Sequence, residues 1–388
     1  MSYYGYMTLR RGYKVIVLLL FSFGFIATFF AFSGKTAYVP PKKINFEPSA
    51  RPSGTVTSTV KTGGSVLGES VITPGKTTPA TTSVSSITLT NNKSISGIYT
   101  GPGAVSTHTD FEKWLGKPVP YATDYIDYKG GWQKDFIDSK LWLSTPWGKW
   151  VSASSGRRLV LGLPMLEDAN SGQFSEGVSG NFDLYFKNLA LELVSQKLDD
   201  TIIRLGYEAN CNTIGPWQAT DNPAGYKLLF RHIVAVMKAV PGSNFKFDWT
   251  VCNGLQNGKP LDSYASFYPG SDVVDIIGVD VYDVKWGDTS ITPEQRWEYI
   301  MNRKMGVNEL FAFASSQGKP VSIPEWGLYK PGDSFSGGGD DPYFIYKMTD
   351  LINKIAPVYY SYFNVNWGGG VLHDFPNSES AYKLIFGN

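Results

Sequence analysis

Cysteine and histidine are scarce: the 388 residues include two cysteines, Cys211 and Cys252, and three histidines at 108, 232 and 373. None of these falls at a metal-binding spacing, so no metal site is expected. A Gly-rich phosphate fingerprint after the first strand-like run is also missing, which argues against a doubly wound nucleotide-binding sheet and leaves no cofactor to expect. An excess of one charge is absent as well, the formal net charge being +1. Ten of the 35 Lys and Arg but two of the 34 acids precede residue 94, so the remaining 25 bases and 32 acids give the rest a balance of about −7. Such a domain does not bind nucleic acid as a polyanion.

The residues that are present divide the chain in three. Residues 15–32, VIVLLLFSFGFIATFFAF, are uncharged and follow Arg10, Arg11 and Lys14. This run is long enough to span a bilayer, and its basic flank belongs on the cytoplasmic side. Residues 1–33 are therefore expected to form a flank and transmembrane signal anchor that exports the remainder of the chain; the alternative is a cleaved signal peptide and a secreted protein. Residues 34–93 are rich in Ser, Thr, Pro and Gly and poor in aromatics, the composition of a disordered linker. As a flexible coil of this length it would reach roughly 45 Å. In an exported domain Cys211 and Cys252 have two readings, a disulfide or two buried thiols packing as small apolar groups.

Residues 94–388 alternate short apolar runs with longer helical patterns. Strands are expected at 96–101, 120–127, 158–165, 201–208, 245–252, 275–283, 320–326 and 359–367, with helices at 182–198, 223–240, 292–317 and 341–356. Eight strands alternating with helices suit an α/β (β/α)8 barrel, in which chemistry sits at the C-terminal strand ends. The stretch TIIRLGYEAN places Arg204, Gly206 and Glu208 on one face of the fourth strand if strand alternation holds, with Gly206 leaving room between the charges. Asn210 follows that strand, Asn253 the fifth; Asp280 and Tyr282 end the sixth, Glu325 the seventh and Trp367 the eighth. Two carboxylates facing one another are the minimum machinery of retaining glycoside hydrolysis, one as proton donor and one as nucleophile, about 5 to 5.5 Å apart.

Three segments, RLGYEANCNTIGPW, FYPGSDVVDIIGVDVYD, and KPVSIPEWGL followed by GGGDDPYFI, resemble glycoside hydrolase family 26. The resemblance spans residues 95 to about 386. It implies a retaining barrel glycosidase with Glu208 as acid/base, Glu325 as nucleophile, and Arg204 and Tyr282 orienting the nucleophile. Mannanases of the family carry His before the acid/base glutamate, whereas this chain has Tyr207, a candidate sugar contact. Trp367 is expected as a flat floor for a sugar ring, with Trp217, Trp249, Trp286 and Trp326 as candidates for further subsites. Asn210 and Asn253 suit sugar hydroxyls, and Phe335 to Asp341, FSGGGDD, has the composition of a mobile cover. The expectation is a monomeric, anchored, extracytoplasmic endo-hydrolase of a β-linked polysaccharide. β-Mannan comes first as substrate, with xylan, β-glucan or a cell-envelope glycan as alternatives. A glycan-binding surface protein without turnover is the reading from another class.

Overall fold

The computed structural model describes the backbone of residues 8–9 and 13–14, Leu89, and residues 94–387 apart from 130–131, 133–141, 212–213, 255–260, 333–334 and 367–368. The chain divides into two compact units, Met1–Thr78 and Pro79–Asn388. In the first, Thr8–Leu9 pairs antiparallel with Tyr13–Lys14. The expected spanning run 15–32 and the expected linker 34–93 lie outside the described residues, Leu89 apart. Among the described residues no helix is long and apolar enough to cross a membrane.

The second unit contains a closed barrel of eight parallel strands: β1 (Ile95–Tyr99), β2 (Tyr121–Tyr125), β3 (Arg158–Leu163), β4 (Ile202–Leu205), β5 (Lys246–Cys252), β6 (Ile276–Tyr282), β7 (Val321–Gly327) and β8 (Tyr359–Phe363). Each pairs with its sequence neighbour, and β8 closes on β1. All eight lie where the apolar runs predict them, and helices cover the outside. Helix α1 (Pro223–Lys238) shows why: Tyr226, Leu229, Phe230, Ile233 and Met237 recur at helical spacing and are all buried. Each large apolar side chain so buried is worth about 1.5 to 3 kcal/mol. Asn222 caps that helix, accepting from the Gly225 N–H at 2.9 Å, a contact of about 1 kcal/mol.

The helix expected at 292–317 is two, α2 (Pro293–Asn302) and α3 (Val307–Ser316). Met305 between them takes a left-handed φ of 53°, and its carbonyl accepts from the Gly254 N–H at 2.7 Å. The break thus ties the loop after β5 to the helical shell. Strand β4 also ends early, at Leu205 rather than 208. Gly206 turns the chain at φ 53°, and a Cβ there would lie 2.2 Å from Met165 Sδ. Its glycine is therefore required by the turn and by Met165, not by room between Arg204 and Glu208.

Inside, the barrel is layered. At the N-terminal end an apolar plug joins Tyr121, Val160, Ile202, Ile276 and Tyr359. Above it Asp248 accepts from Ser322 at 2.6 Å, Tyr359 at 2.8 Å and Thr250 at 2.9 Å. Burial raises the pKa of Asp248, with the hydroxyl donors acting against the shift. The next layer holds Arg204.

Candidate active site

Arg204 is fully buried, and its donors reach four elements. Nη1 donates to Glu325 Oε1 at 2.8 Å and to the Tyr125 hydroxyl; Nη2 donates to Asp280 Oδ2 at 2.6 Å, and Nε to Thr250 Oγ1 at 3.3 Å. A planar fork with fixed donors suits this task better than an ammonium. Removing one partner from such a buried ion pair costs about 3 to 5 kcal/mol, because the other charge is left uncompensated.

Glu325 reaches Arg204 because β7 is irregular. Its register slips by one residue against both β6 and β8, between Ser322 or Ile323 and Trp326. The segment contains Pro324, which has no N–H for the ladder, and such a bulge re-aims a side chain. Glu325 Oε1 accepts from Arg204 and from the Tyr125 hydroxyl at 2.6 Å, while Oε2 accepts from the Tyr282 hydroxyl at 2.6 Å. The carboxylate is buried apart from a small exposed face of 7%.

Glu208 arrives differently. It stands on the turn after β4 with φ 53°, a conformation that a non-glycine residue rarely adopts. Its N–H donates to the Thr250 carbonyl at 2.9 Å, and its carbonyl accepts from the Cys211 N–H at 2.9 Å. Cys211 and Cys252 form a disulfide, Cα atoms 6.0 Å apart, and Cys252 Sγ lies 3.4 Å from Glu208 Oε1. Glu208, Cys211 and Cys252 group three ligand-type atoms within 4.8 Å, but paired sulfurs are not the thiolates a soft metal needs. Burial first, then the negative charge of Glu325, pushes the Glu208 carboxyl up to about 8, against the lowering influence of Arg204. Burial likewise raises Asp280 well above the carboxylate range, and Arg204 opposes that shift.

Two cavities of about 370 and 280 Å³ open beside the pair, and both are lined by Glu208, Glu325, Ile214 and Phe363. The first adds Tyr99, Tyr125, Tyr128 and Tyr207; the second adds Tyr282, Trp286, Leu328 and Tyr329. The residues Phe335–Gly337, expected in a mobile cover, pair antiparallel with Val284–Trp286, whose Trp286 lines the second cavity. Behind this ribbon Arg296 is buried and bonded to Asp283 and, at 2.7 Å, to Asp341. Burial first pushes Asp283 up to about 7.

Of the residues chosen from sequence, Arg204, Glu208, Asp280, Tyr282 and Glu325 come together. Tyr207 lines the first cavity, its ring edge-on to Tyr125 and Trp217, because the turn breaks strand alternation. Others play structural parts. Asn210 is fully buried, with its amide clamped to Cys252 N–H and carbonyl and to the Gly254 carbonyl. Trp217 is also buried and donates to the Tyr207 carbonyl at 2.8 Å, supporting the site from behind. Trp249 packs among Tyr264, Phe267 and Tyr268, and Trp326 stacks on Tyr382, so neither faces sugar. Trp286 remains exposed in the second cavity. Asn253 is partly buried and lines neither cavity; Trp367 lies outside the described residues. Tyr99, Tyr125 and Phe363 were missed, although each is the last residue of its strand, the position where barrel chemistry concentrates.

Comparison with known proteins bears on the same segment. The model of Glycosyl hydrolase family 26 matches residues 190–304, which include Arg204, Glu208, Asp280 and Tyr282. A mannan endo-1,4-beta-mannosidase of Bifidobacterium adolescentis is 31% identical over 163 residues, covering 40% of this chain and 15% of that protein. Endoglucanase H of Acetivibrio thermocellus is 27% identical over 213 residues, covering 53% of this chain and 21% of its own length. The chain thus spans a minor part of either relative. Among solved structures, a modular endo-beta-1,4-mannanase from Cellulomonas fimi shares the fold at a TM-score of 0.52 and 16% identity, over 75% of this chain and 71% of that one. The likeness to glycosyl hydrolase family 26 therefore covers the segment that carries Glu208 and three of the residues around it, while Glu325 lies beyond the matched residues 190–304.

Proposed function

We propose that the protein is an endo-acting retaining glycoside hydrolase that cleaves a β-linked polysaccharide, β-mannan first. The observation that carries this reading is the asymmetry of the two carboxyl groups that line one cleft. Glu208 is held protonated by burial, and Glu325 has both oxygens bonded to Arg204, Tyr125 and Tyr282. In the first step Glu325 attacks the anomeric carbon while the bond to the glycosidic oxygen breaks and Glu208 gives that oxygen its proton. The products are a free chain end and a glycosyl ester on Glu325. In the second, Glu208 takes a proton from water, whose oxygen displaces Glu325 from the sugar and restores both groups. Net configuration is retained.

Cavities on either side of the pair favour cutting within a chain over trimming its end. A second substrate, β-glucan, is favoured by the likeness to Endoglucanase H. Tyr207 stands where the family's mannanases present His, so it is a candidate for the discriminating sugar contact. We further propose that residues 15–32 anchor the enzyme in a membrane with the barrel outside, on the strength of their length, lack of charge and basic flank.

One experiment tests these readings together. Cells producing the full chain are separated into membrane and soluble fractions, and each fraction is offered mannan, xylan and mixed-linkage glucan. Reducing ends are expected to appear from mannan, in the membrane fraction, with the β-anomer formed first. Polysaccharide binding without new reducing ends would support a glycan-binding protein instead, an α-anomer would exclude retention, and activity confined to the soluble fraction would overturn the anchor.

A further inference from the structure

The disulfide sits in an unusual place for a structural staple, because one of its sulfurs touches the proposed proton donor. Cys211 follows Glu208 by three residues and closes its left-handed turn through the 2.9 Å bond from the Cys211 N–H to the Glu208 carbonyl. Its partner Cys252 is the last residue of β5, the strand whose Thr250 carbonyl accepts from the Glu208 N–H. Asn210 bonds the same pair of segments. Turn and strand are thus tied on both sides of the Glu208 side chain, and Cys252 Sγ lies 3.4 Å from Oε1.

We propose that the Cys211–Cys252 disulfide is a redox-sensitive positioning device for the acid/base glutamate: paired, it fixes the turn and sets a sulfur without a proton against Oε1. The inference rests on the hydrolase reading given above. Opening the bond would have two consequences. The left-handed turn loses one of its ties, so the proton donor is less well aimed at the leaving oxygen; misplacement by about an ångström can cost on the order of 10²-fold. In addition, the Cys252 sulfur gains an S–H that can donate to Oε1. A hydrogen bond to the charged form of a carboxyl group favours that form. The other groups facing Glu208 are Glu325 from β7, Arg204 from β4, Asp280 from β6 and Tyr207 beside it in the same turn, and opening the disulfide changes the charge of none of them.

The chemistry balances with a small dithiol as co-reactant. Its two sulfurs give up two electrons and two protons and close into a cyclic disulfide, while the S–S bond of the protein breaks and Cys211 and Cys252 become thiols. Cys211 lines the second cavity, which gives a small reductant its approach.

The test compares full-chain wild type, oxidised and after dithiothreitol treatment, with Cys211→Ala, which leaves the Cys252 thiol beside Glu208. The readout is kcat/KM on a polysaccharide, where the leaving oxygen must be protonated, and on a dinitrophenyl glycoside, where it need not be. Reduction or substitution is expected to lower kcat/KM on the polymer by roughly 10-fold or more. The value on the activated substrate should fall by a few fold at most. The alkaline limb of the polymer profile should move to lower pH by about half a unit to one unit, and reoxidation should reverse the effect in wild type. Equal losses on both substrates, with an unmoved limb, would reduce the disulfide to a general stabiliser and overturn the proposal. So would unchanged kinetics once labelling has shown both thiols free. If Cys211→Ala does not fold, reversible reduction of wild type decides alone. Oxidised wild type inactive on both substrates would instead overturn the hydrolase reading, and this inference with it.

Discussion

The end of β7 carries Glu325 on a strand, re-aimed by a one-residue bulge, and meets each of its oxygens with donors from the barrel interior. The end of β4 carries Glu208 past the strand, on a left-handed turn, with a disulfide sulfur against one oxygen. Both places break regular structure, as sites under functional demand often do. The breaks differ in their electrostatic result. The first surrounds a carboxylate with hydrogen-bond donors that suit negative charge; the second half-buries a carboxyl group and places another negative group nearby, so that it keeps its proton. One barrel rim thus holds a group fit to attack beside a group fit to donate.

The sharpest way to break that contrast is Glu325→Ala. Loss of the proposed nucleophile should lower kcat on polymer by on the order of 10⁴- to 10⁶-fold, and azide should restore part of the rate with inverted product. Near wild-type turnover would move the nucleophile elsewhere, whatever the stability of the variant.

Glu208→Ala tests the other half. On polysaccharide kcat/KM should fall by roughly 10²- to 10⁴-fold, while kcat/KM on a dinitrophenyl glycoside should change little. In wild type, Glu208 at about 8 should lose its proton as the pH rises through that value, giving an alkaline limb on the polymer that the variant lacks. Equal losses on the two substrates would pass the acid role to another group, with Asp280 the first to examine.

Tyr125→Phe should have the smallest effect of the three. It removes one of two donors to Glu325 Oε1 and leaves Arg204 in place. A hydrogen bond to a charged group is worth about 1.5 to 3 kcal/mol, so kcat/KM should drop roughly 10- to 100-fold on polymer and activated substrate alike. A loss confined to the polymer would show that Tyr125 serves Glu208, not Glu325, and would blur the division between the two regions.

The legibility of the fold and site in the sequence depends on which features residue patterns encode. The eight strands were readable because their apolar runs are buried between barrel interior and helices, and Arg204, Glu208, Asp280, Tyr282 and Glu325 because charge and hydroxyl within such runs are conspicuous. Tyr125 was not, since a tyrosine ending YATDY looks like any aromatic of a strand until its hydroxyl is seen against Glu325. Strand alternation gave the facing of Glu208 for the wrong reason, because the strand stops at Leu205 and a turn completes the approach. Trp217 and Trp326 were indistinguishable from sugar platforms because composition does not say which side of a strand end faces the cleft. The division of 292–317 into two helices hinges on one left-handed residue, Met305, of a type that rarely takes that conformation.

Arg204 carries one positive charge for a neighbourhood that holds Asp248, Asp280, Glu208 and Glu325. The barrel interior is therefore a store of protons, and folding must load it. Asp124, pushed up to about 6 chiefly by burial, and Asp283, at about 7, add to the store outside the central cluster. A carboxyl group whose pKa is raised by folding stabilises the native state in full below its unfolded value, and that contribution is lost as the pH climbs through the folded one. Between the ordinary carboxylate range and about pH 8 the native domain therefore holds more protons than the unfolded chain, so alkali loosens the same architecture that keeps Glu208 ready to donate.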